Sequence, residues 1–221
     1  IPQSRDLTAS LEDGFLYIRP SLRTVLDPIT QPLSWMLDSA LYLFTNTPWW
    51  ILLPLFILAV QWSARSWKIT AFVVGCIIFY LATDHYTYAM QTLSIIFVCT
   101  VLCVVIGVPT GILMARSNTF QRMLIPILDM LQTLPTFVYL IPLIFIFKIT
   151  EPKLYGLAII LYAIVPVIRL TDLVIRLVDR DVIEAANAYG MTKRQLIFNV
   201  QVPLAMPNIM AGVYQTIMMS L

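Results

Sequence analysis

The sequence predicts an all-α fold, a polytopic bundle of membrane-spanning helices. Hydrophobic residues make up 59% of the 221 residues and charged residues only 12%, against about 25% charged in soluble domains. Mean hydropathy is +0.84. The apolar residues also cluster, in charge-free runs separated by short polar loops. Runs approaching ~20 apolar residues are what a helix needs to cross a bilayer.

Residues 1–47 form an amino-terminal segment. Leu22, Val25, Leu26, Ile29, Leu33, Met36, Leu37, Leu41 and Phe44 recur at roughly helical spacing, interrupted by Pro28 and Pro32. This predicts an amphipathic segment lying along the membrane surface, helical mainly after Pro32. The alternative is that residues 39–47 simply begin the first span. Residues 48–85 hold two peripheral spans. Trp49, Trp50, Trp62 and Trp67 bracket the first, roughly 48–64, where indole rings suit the two interfaces. The second, 69–83, is short, and Asp84 and His85 close it as a solvated turn.

Residues 86–221 form the core, with apolar runs over 86–115, 124–147, 154–168 and 204–221. Gln91, Thr92, Ser94, Thr100, Gly107, Pro109 and Gly111 interrupt the first of these. Small and polar residues inside a span mark helix–helix contact or a water-lined path. Cys99 and Cys103 share one helical face and read as small packing residues, since a metal site would need further ligands and His85 is the only histidine. The chain opens on Ile1 and stops at Leu221 within an apolar run, as a fragment would.

No Walker-type glycine-rich loop, H-E-x-x-H or G-x-S-x-G occurs. The chain therefore reads as no enzyme, with no cofactor or metal of its own. A net charge of +2 implies no nucleic-acid surface.

The most informative polar stretch is Asp181–Pro203 in the loop 170–203. Asp181-Val-Ile-Glu184 reads as a capping box, Gly190 as a helix stop able to take positive φ, and Thr192-Lys-Arg-Gln195 as a second capping box whose segment Pro203 closes. The expectation is helix, tight turn, helix, made thin-sided by Ala185, Ala186 and Ala188. Such an element, tethered to spans at both ends, is a docking surface.

Charge sets the orientation. Arg65, Lys68, Arg116, Arg122, Arg169, Arg176, Arg180, Lys193 and Arg194 fall in one set of alternate loops; the opposite side holds Lys148 and Lys153 in its loops, and Arg5, Arg19 and Arg23, which count against the asymmetry, in the amino-terminal segment far from the first span. The positive-inside rule puts the richer loops, including 170–203, in the cytoplasm and the amino terminus outside. ATP-hydrolysing partners are found on that cytoplasmic side.

Asp129 is the only carboxylate within a span. It reads either as an interfacial acid paired with an arginine or as a functional intramembrane charge. Gln132, Thr133, Pro135, Phe137, Tyr139 and Pro142 follow it. The prolines free carbonyls, tolerated against protein or a water-filled cavity, so this segment reads as lining a path or as a kinked packing helix. Arg169, Asp172, Arg176, Asp179 and Arg180 recur every three or four residues, as on a salt-laced helix entering the cytoplasm.

The loop resembles the EAA motif of ABC importer permeases. Glu184-Ala185-Ala186, Gly190 and Val200-Gln201-Val202-Pro203 hold the motif's spacing, with valines for its usual isoleucine and leucine. Asp129–Pro142, Gly107-Val-Pro-Thr-Gly111 with Ala115-Arg116, and Pro203–Gly212 resemble the glycine betaine/proline-type permeases in particular. The resemblance implies a permease-type bundle in a bacterial inner membrane, lacking the carboxy-terminal part of its domain. It implies a homodimer, a cytoplasmic ABC ATPase binding ATP and Mg, and an extracytoplasmic substrate-binding protein. Glu184, Ala185, Ala186, Gly190, Lys193 and Arg194 would couple to the ATPase, and Asp129, Gln132, Thr133, Pro135, Phe137 and Tyr139 would border the path. The implied solute is a quaternary ammonium osmoprotectant such as glycine betaine, with choline, carnitine or an amino acid as alternatives. A membrane-tethered helix-turn-helix regulator is disfavoured, because the second helix offers only Lys193 and Arg194 and lies too close to the spans to reach a major groove. A passive channel would need no docking surface.

Overall fold

The computed structural model describes residues 2–147 and 150–221, with backbone only at 2–13, 15, 16, 18, 19 and 136. Lys148, counted above among the loop charges, lies outside the described residues. The described chain is helical: α1 (Pro2–Asn46), α2 (Trp49–Ala64), α3 (Trp67–Ala82), α4 (Tyr86–Arg116), α5 (Asn118–Thr133), α6 (Thr136–Ile146), α7 (Pro152–Arg176), α8 (Arg180–Ala188), α9 (Lys193–Gln195), a π turn (Leu196–Gln201) and α10 (Val202–Ser220). It packs as two units, Pro20–Val98 and the remainder.

In the Pro20–Val98 unit, α1 does not wait for Pro32 to become helical. It runs unbroken through Pro20, Pro28 and Pro32. Each proline removes one N–H but holds φ near its helical value. Side-chain bonds lie along the same stretch: Thr24 Oγ1 donates to the Pro20 carbonyl at 2.8 Å, Arg23 pairs with Asp27 at 3.1 Å, and Thr30 Oγ1 donates to the Leu26 carbonyl at 2.9 Å. Thr30, Leu33 and Leu37 are buried. The break comes at Pro48, where α2 departs at 105°. Helices α2 and α3 pack together; Arg65 reverses the chain in the left-handed region at φ 48°, and Thr70 Oγ1 bonds Gln61 Oε1 at 2.6 Å. At 16 residues, α3 is ~24 Å long, short of the ~30 Å hydrocarbon core.

The other unit is organised on α7. Among its residues, Ala163, Val165, Val167 and Thr171 have no exposed surface. Helix α4 lies on it along a stripe of small residues four apart. Cys99 Sγ meets the Gly156 carbonyl at 3.6 Å and Cys103 Sγ the Ile160 carbonyl at 4.0 Å. Gly107 sits against Ile164 and Val167, and Gly111 against Ile168 and Thr171. All four residues find a partner 57 positions on, so the two helices run parallel in register. The cysteines are thus packing residues in a seam the glycines continue. Gly212 of α10 does the same from the other side, where a Cβ would lie 3.1 Å from Leu170 Cβ. With little hydrophobic driving force between helices in lipid, close backbone approach is what holds such a bundle.

Helix α5 is amphipathic. Leu124, Leu128 and Leu131 pack with Met114, Val165, Val167 and Ile168, while Arg122 and Asp129 are exposed. The apolar run 124–147 is therefore no single straight helix: α5 and α6 meet at 91°, across Leu134 and Pro135. The residue before a proline is steered out of the α region, and Leu134 is extended, with ψ 130°. Lys153, expected in a loop, belongs to the first turn of α7, where it is buried, pairs with Glu151 at 3.2 Å and lies 4.9 Å from the Phe147 ring. Among the described residues, α4, α7 and the α9–α10 helix are each long and apolar enough to cross a membrane, and up to five segments are if each bent pair counts as one.

The seam is testable. A Cβ on Gly111 would stand 2.6 Å from Thr171 Cβ and 2.7 Å from the Ile168 carbonyl oxygen. Gly111→Ala is expected to lower Tm by roughly 3–10 °C, the effect of overpacking by ~1–3 kcal/mol. Gly75→Ala, where a Cβ meets nothing within 4 Å, should leave Tm unchanged or raise it. Equal responses in a thermal melt would remove the seam from the account.

Candidate coupling site

The site begins where α7 ends. Arg176, in the last turn of α7, donates from Nε to Asp172 Oδ1 at 2.8 Å, from Nη1 to Asn118 Oδ1 at 2.8 Å and from Nη2 to the Met114 carbonyl at 2.6 Å. Gln121 Nε2 donates to the second Asp172 oxygen at 2.6 Å. The i,i+4 pair expected on α7 is therefore also a junction. It satisfies a carbonyl in the last turn of α4, where intrahelical donors run out, and holds the first turn of α5, which Ser117 caps through the Phe120 amide at 3.3 Å.

Four residues on, α8 starts. Its cap is Asp179, whose Oδ1 accepts from the Asp181 amide at 3.0 Å, so the expected Asp181–Glu184 box does not form. Two aspartates stand two residues apart in the sequence, and the helix starts from the earlier one. Asp181 lies instead in the first turn, where the helix dipole favours an acid.

The end of α8 is built as expected. Gly190 adopts φ 76°. Its N–H donates to Asn187 at 2.9 Å, and the Met191 N–H donates to Ala186 at 3.2 Å. This is a Schellman motif, which closes a helix through a left-handed residue. The second capping box forms in full: the Thr192 N–H donates to Gln195 Oε1 at 2.9 Å and the Gln195 N–H to Thr192 Oγ1 at 3.4 Å.

Pro203 does not close this segment. The helix widens into the π turn, where the Val202 N–H reaches back five residues to the Ile197 carbonyl, and continues as α10 to Ser220. An α-helical proline clashes with the carbonyl four residues before it. The wider turn just ahead of Pro203 eases that clash, so the chain runs on without a break.

The six coupling candidates divide. Glu184, Ala185, Gly190, Lys193 and Arg194 are exposed, and Ala186 is buried. Helix α8 packs against the π turn, where Ile197 is also buried. The outward face of α8 consists of Asp181, Glu184, Ala185 and Ala188, with Tyr189 at its end 87% exposed. Tyr189 and the half-exposed Phe198 are absent from the sequence-derived set. The i,i+4 spacing from exposed Ala185 would have indicated Tyr189; Phe198 depends on the π turn.

The path candidates lie on both sides of the α5–α6 bend. Asp129 pairs with Arg169 of α7, as one of its two readings requires. Thr133 Oγ1 donates to the Asp129 carbonyl at 2.8 Å, and Gln132 is half-buried beside it. Pro135 caps α6. Phe137 is exposed, whereas the Tyr139 hydroxyl is buried with no hydrogen-bond partner among the described residues.

Residues 107–221, which hold this site, match the family described as binding-protein-dependent transport system inner membrane component. The chain belongs to that family. The family is one of helical membrane permeases, and the chain has the several apolar helices such a permease needs. The glycine betaine/proline betaine transport system permease protein of Escherichia coli (strain K12) is 35% identical over 216 residues, 97% of this chain and 60% of that relative. The glycine betaine/carnitine transport permease protein of Listeria monocytogenes serotype 1/2a (strain 10403S) is 34% identical over 197 residues, 87% of this chain and 69% of the relative. The glycine betaine transport system permease protein of Bacillus subtilis (strain 168) is 38% identical over 175 residues, 76% of this chain and 61% of the relative. The chain thus spans about three-fifths to two-thirds of these permeases.

At Gly190 a Cβ would meet nothing within 4 Å, so only backbone strain opposes substitution. Gly190→Val is expected to speed amide exchange at Met191 roughly tenfold, the equivalent of ~1–2 kcal/mol of left-handed strain. Gly190→Asn, tolerated in this region, should stay near wild type. Wild-type exchange in Gly190→Val would refute the turn as described.

Proposed function

We propose that this chain is the membrane-spanning permease subunit of an ATP-driven importer for glycine betaine and proline betaine. The observation that carries the reading is the Gly190 turn: a short exposed helix, reversed through a left-handed glycine and restarted by a capping box, set between two helices long enough to span. Its residues hold the spacing of the EAA motif, with Val200 and Val202 in place of the usual isoleucine and leucine. The relatives named for glycine betaine transport support the solute.

In this reading α8 docks on a cytoplasmic ABC ATPase, which binds the ATP and Mg; this chain holds no cofactor or metal and does no chemistry. The outward face of α8, narrow at Ala185 and Ala188, enters a groove of that subunit, and Lys193 and Arg194 meet its acids. An extracytoplasmic binding protein delivers solute, and a second copy of the permease completes the path. The basic loops face the cytoplasm and the amino terminus lies outside. ATP binding draws the ATPase pair together, α8 moves with it, and the spans expose the path alternately to the two sides.

A neighbouring reading keeps the machinery and changes the solute. Relatives at 33% and 35% identity are named for carnitine and choline transport, so the headgroup shared by all these solutes, a quaternary ammonium, is the firmer assignment.

The test is uptake of labelled glycine betaine by the full transporter in proteoliposomes. Uptake is expected to require ATP and the binding protein, and to be displaced by proline betaine before choline or carnitine. Gly190→Val should keep the ATPase bound yet lose most uptake. ATP-independent flux would replace this reading with a passive channel, and preferential displacement by choline or carnitine would reassign the solute.

A further inference from the structure

We infer that Arg176 and Asp172 are positioning residues, the clasp through which displacement of α8 reaches α5. The inference rests on the coupling role proposed for α8. Arg176 stands four residues before the first residue of α8, so any pull on α8 arrives first at the last turn of α7.

That turn is not free to move alone. The three guanidinium nitrogens of Arg176 point to three places: Asp172 on α7 itself, the Asn118 side chain of α5 and the Met114 carbonyl of α4, each within 2.8 Å. Asp172 returns a bond to α5 through Gln121 at 2.6 Å. A planar guanidinium satisfies such divergent acceptors only in one orientation, and an ammonium cannot reproduce it. The Asp172 side chain is 8% exposed, and shielding from water strengthens its bonds and penalises breaking them.

Further along the same pair of helices, Leu128 packs among Val165, Val167 and Ile168, and Arg169 pairs with Asp129. An arginine of α7 thus holds α5 near each end, and α5 must follow α7. Helix α5 ends at the Leu134–Pro135 break, beyond which α6 turns away. Displacement delivered along α5 is therefore spent at that joint, beside the segment bordering the path. Opening the clasp frees the first turn of α5 from the last turn of α7, so that displacement of α8 reaches α5 less fully and ATP is hydrolysed with less solute carried. A purely stabilising role predicts something else: assembly and transport fall together, and each hydrolysed ATP still moves the same amount of solute.

The experiment measures solute transported per ATP hydrolysed in the reconstituted full transporter, together with the amount of ATPase retained. Two variants are compared with wild type. Arg176→Lys keeps the charge and loses the divergent bonds. Asn118→Ala removes one exposed partner and leaves the Asp172–Arg176 pair intact. The expected result is full ATPase retention in both, a ratio at least about fivefold lower in Arg176→Lys, the small end of ordinary coupling effects, and a drop of about twofold in Asn118→Ala, as for the loss of one exposed hydrogen bond. Wild-type ratios in assembled variants overturn the clasp. So does failure of Arg176→Lys to assemble while Asn118→Ala keeps the wild-type ratio. A wild-type protein that neither retains an ATPase nor transports overturns the functional reading, and the clasp with it.

Discussion

The close approach of α4 to α7 is the constraint on which the described core depends. Cys99, Cys103, Gly107 and Gly111 hold α4 in parallel register with α7. Water drives no burial between helices inside a bilayer, so contact area per residue and backbone proximity must do the work. The register has consequences beyond packing. It brings the carboxy-terminal end of α4 level with the last turn of α7, and so puts the Met114 carbonyl within reach of Arg176. Sliding the seam by one helical turn would move that carbonyl ~5 Å away.

From that end the chain turns twice. Helix α5 folds back antiparallel on α7, apolar on the face it buries and polar on the other, and then breaks at Leu134–Pro135. Helix α7 hands over to α8, whose two ends are fixed by different devices: a side-chain cap at Asp179 and a left-handed glycine at Gly190. The π turn then lets a single helix carry the chain from Thr192 back into the apolar layer in spite of Pro203. The coupling element is thus rigidly built at each joint, as a part that transmits displacement must be.

How far the sequence was legible follows from how local each feature is. The Gly190 reversal and the Thr192–Gln195 box involve residues at most five apart, so side-chain chemistry alone indicates them. The Asp181 box failed on the same local ground, because Asp179 offers an equivalent cap two residues earlier. The π turn has no residue signature, since nothing in Leu196–Gln201 demands a five-residue bond. Helix α1 ran through prolines that its pattern alone placed as interruptions. The small residues of α4 announced a contact face but not its partner. The partners of Arg176 on α4 and α5 lie more than fifty positions away and have no local trace. Asp129 through Tyr139 read as one segment in the sequence, whereas the bend at Leu134–Pro135 divides them between α5 and α6.

The central claim is that the Glu184–Ala188 face of α8, and not its Ala186 side, seats on an ATPase. Single cysteines placed at Ala185, Ala186 and Ala188 test it most directly, in the full transporter with Cys76, Cys99 and Cys103 replaced by alanine. Cysteines at Ala185 and Ala188 should cross-link to the ATPase subunit through a short bifunctional maleimide, and the cysteine at Ala186 should not. Cross-linking through Ala186 alone, or through none of the three in a complex that transports, would contradict the account.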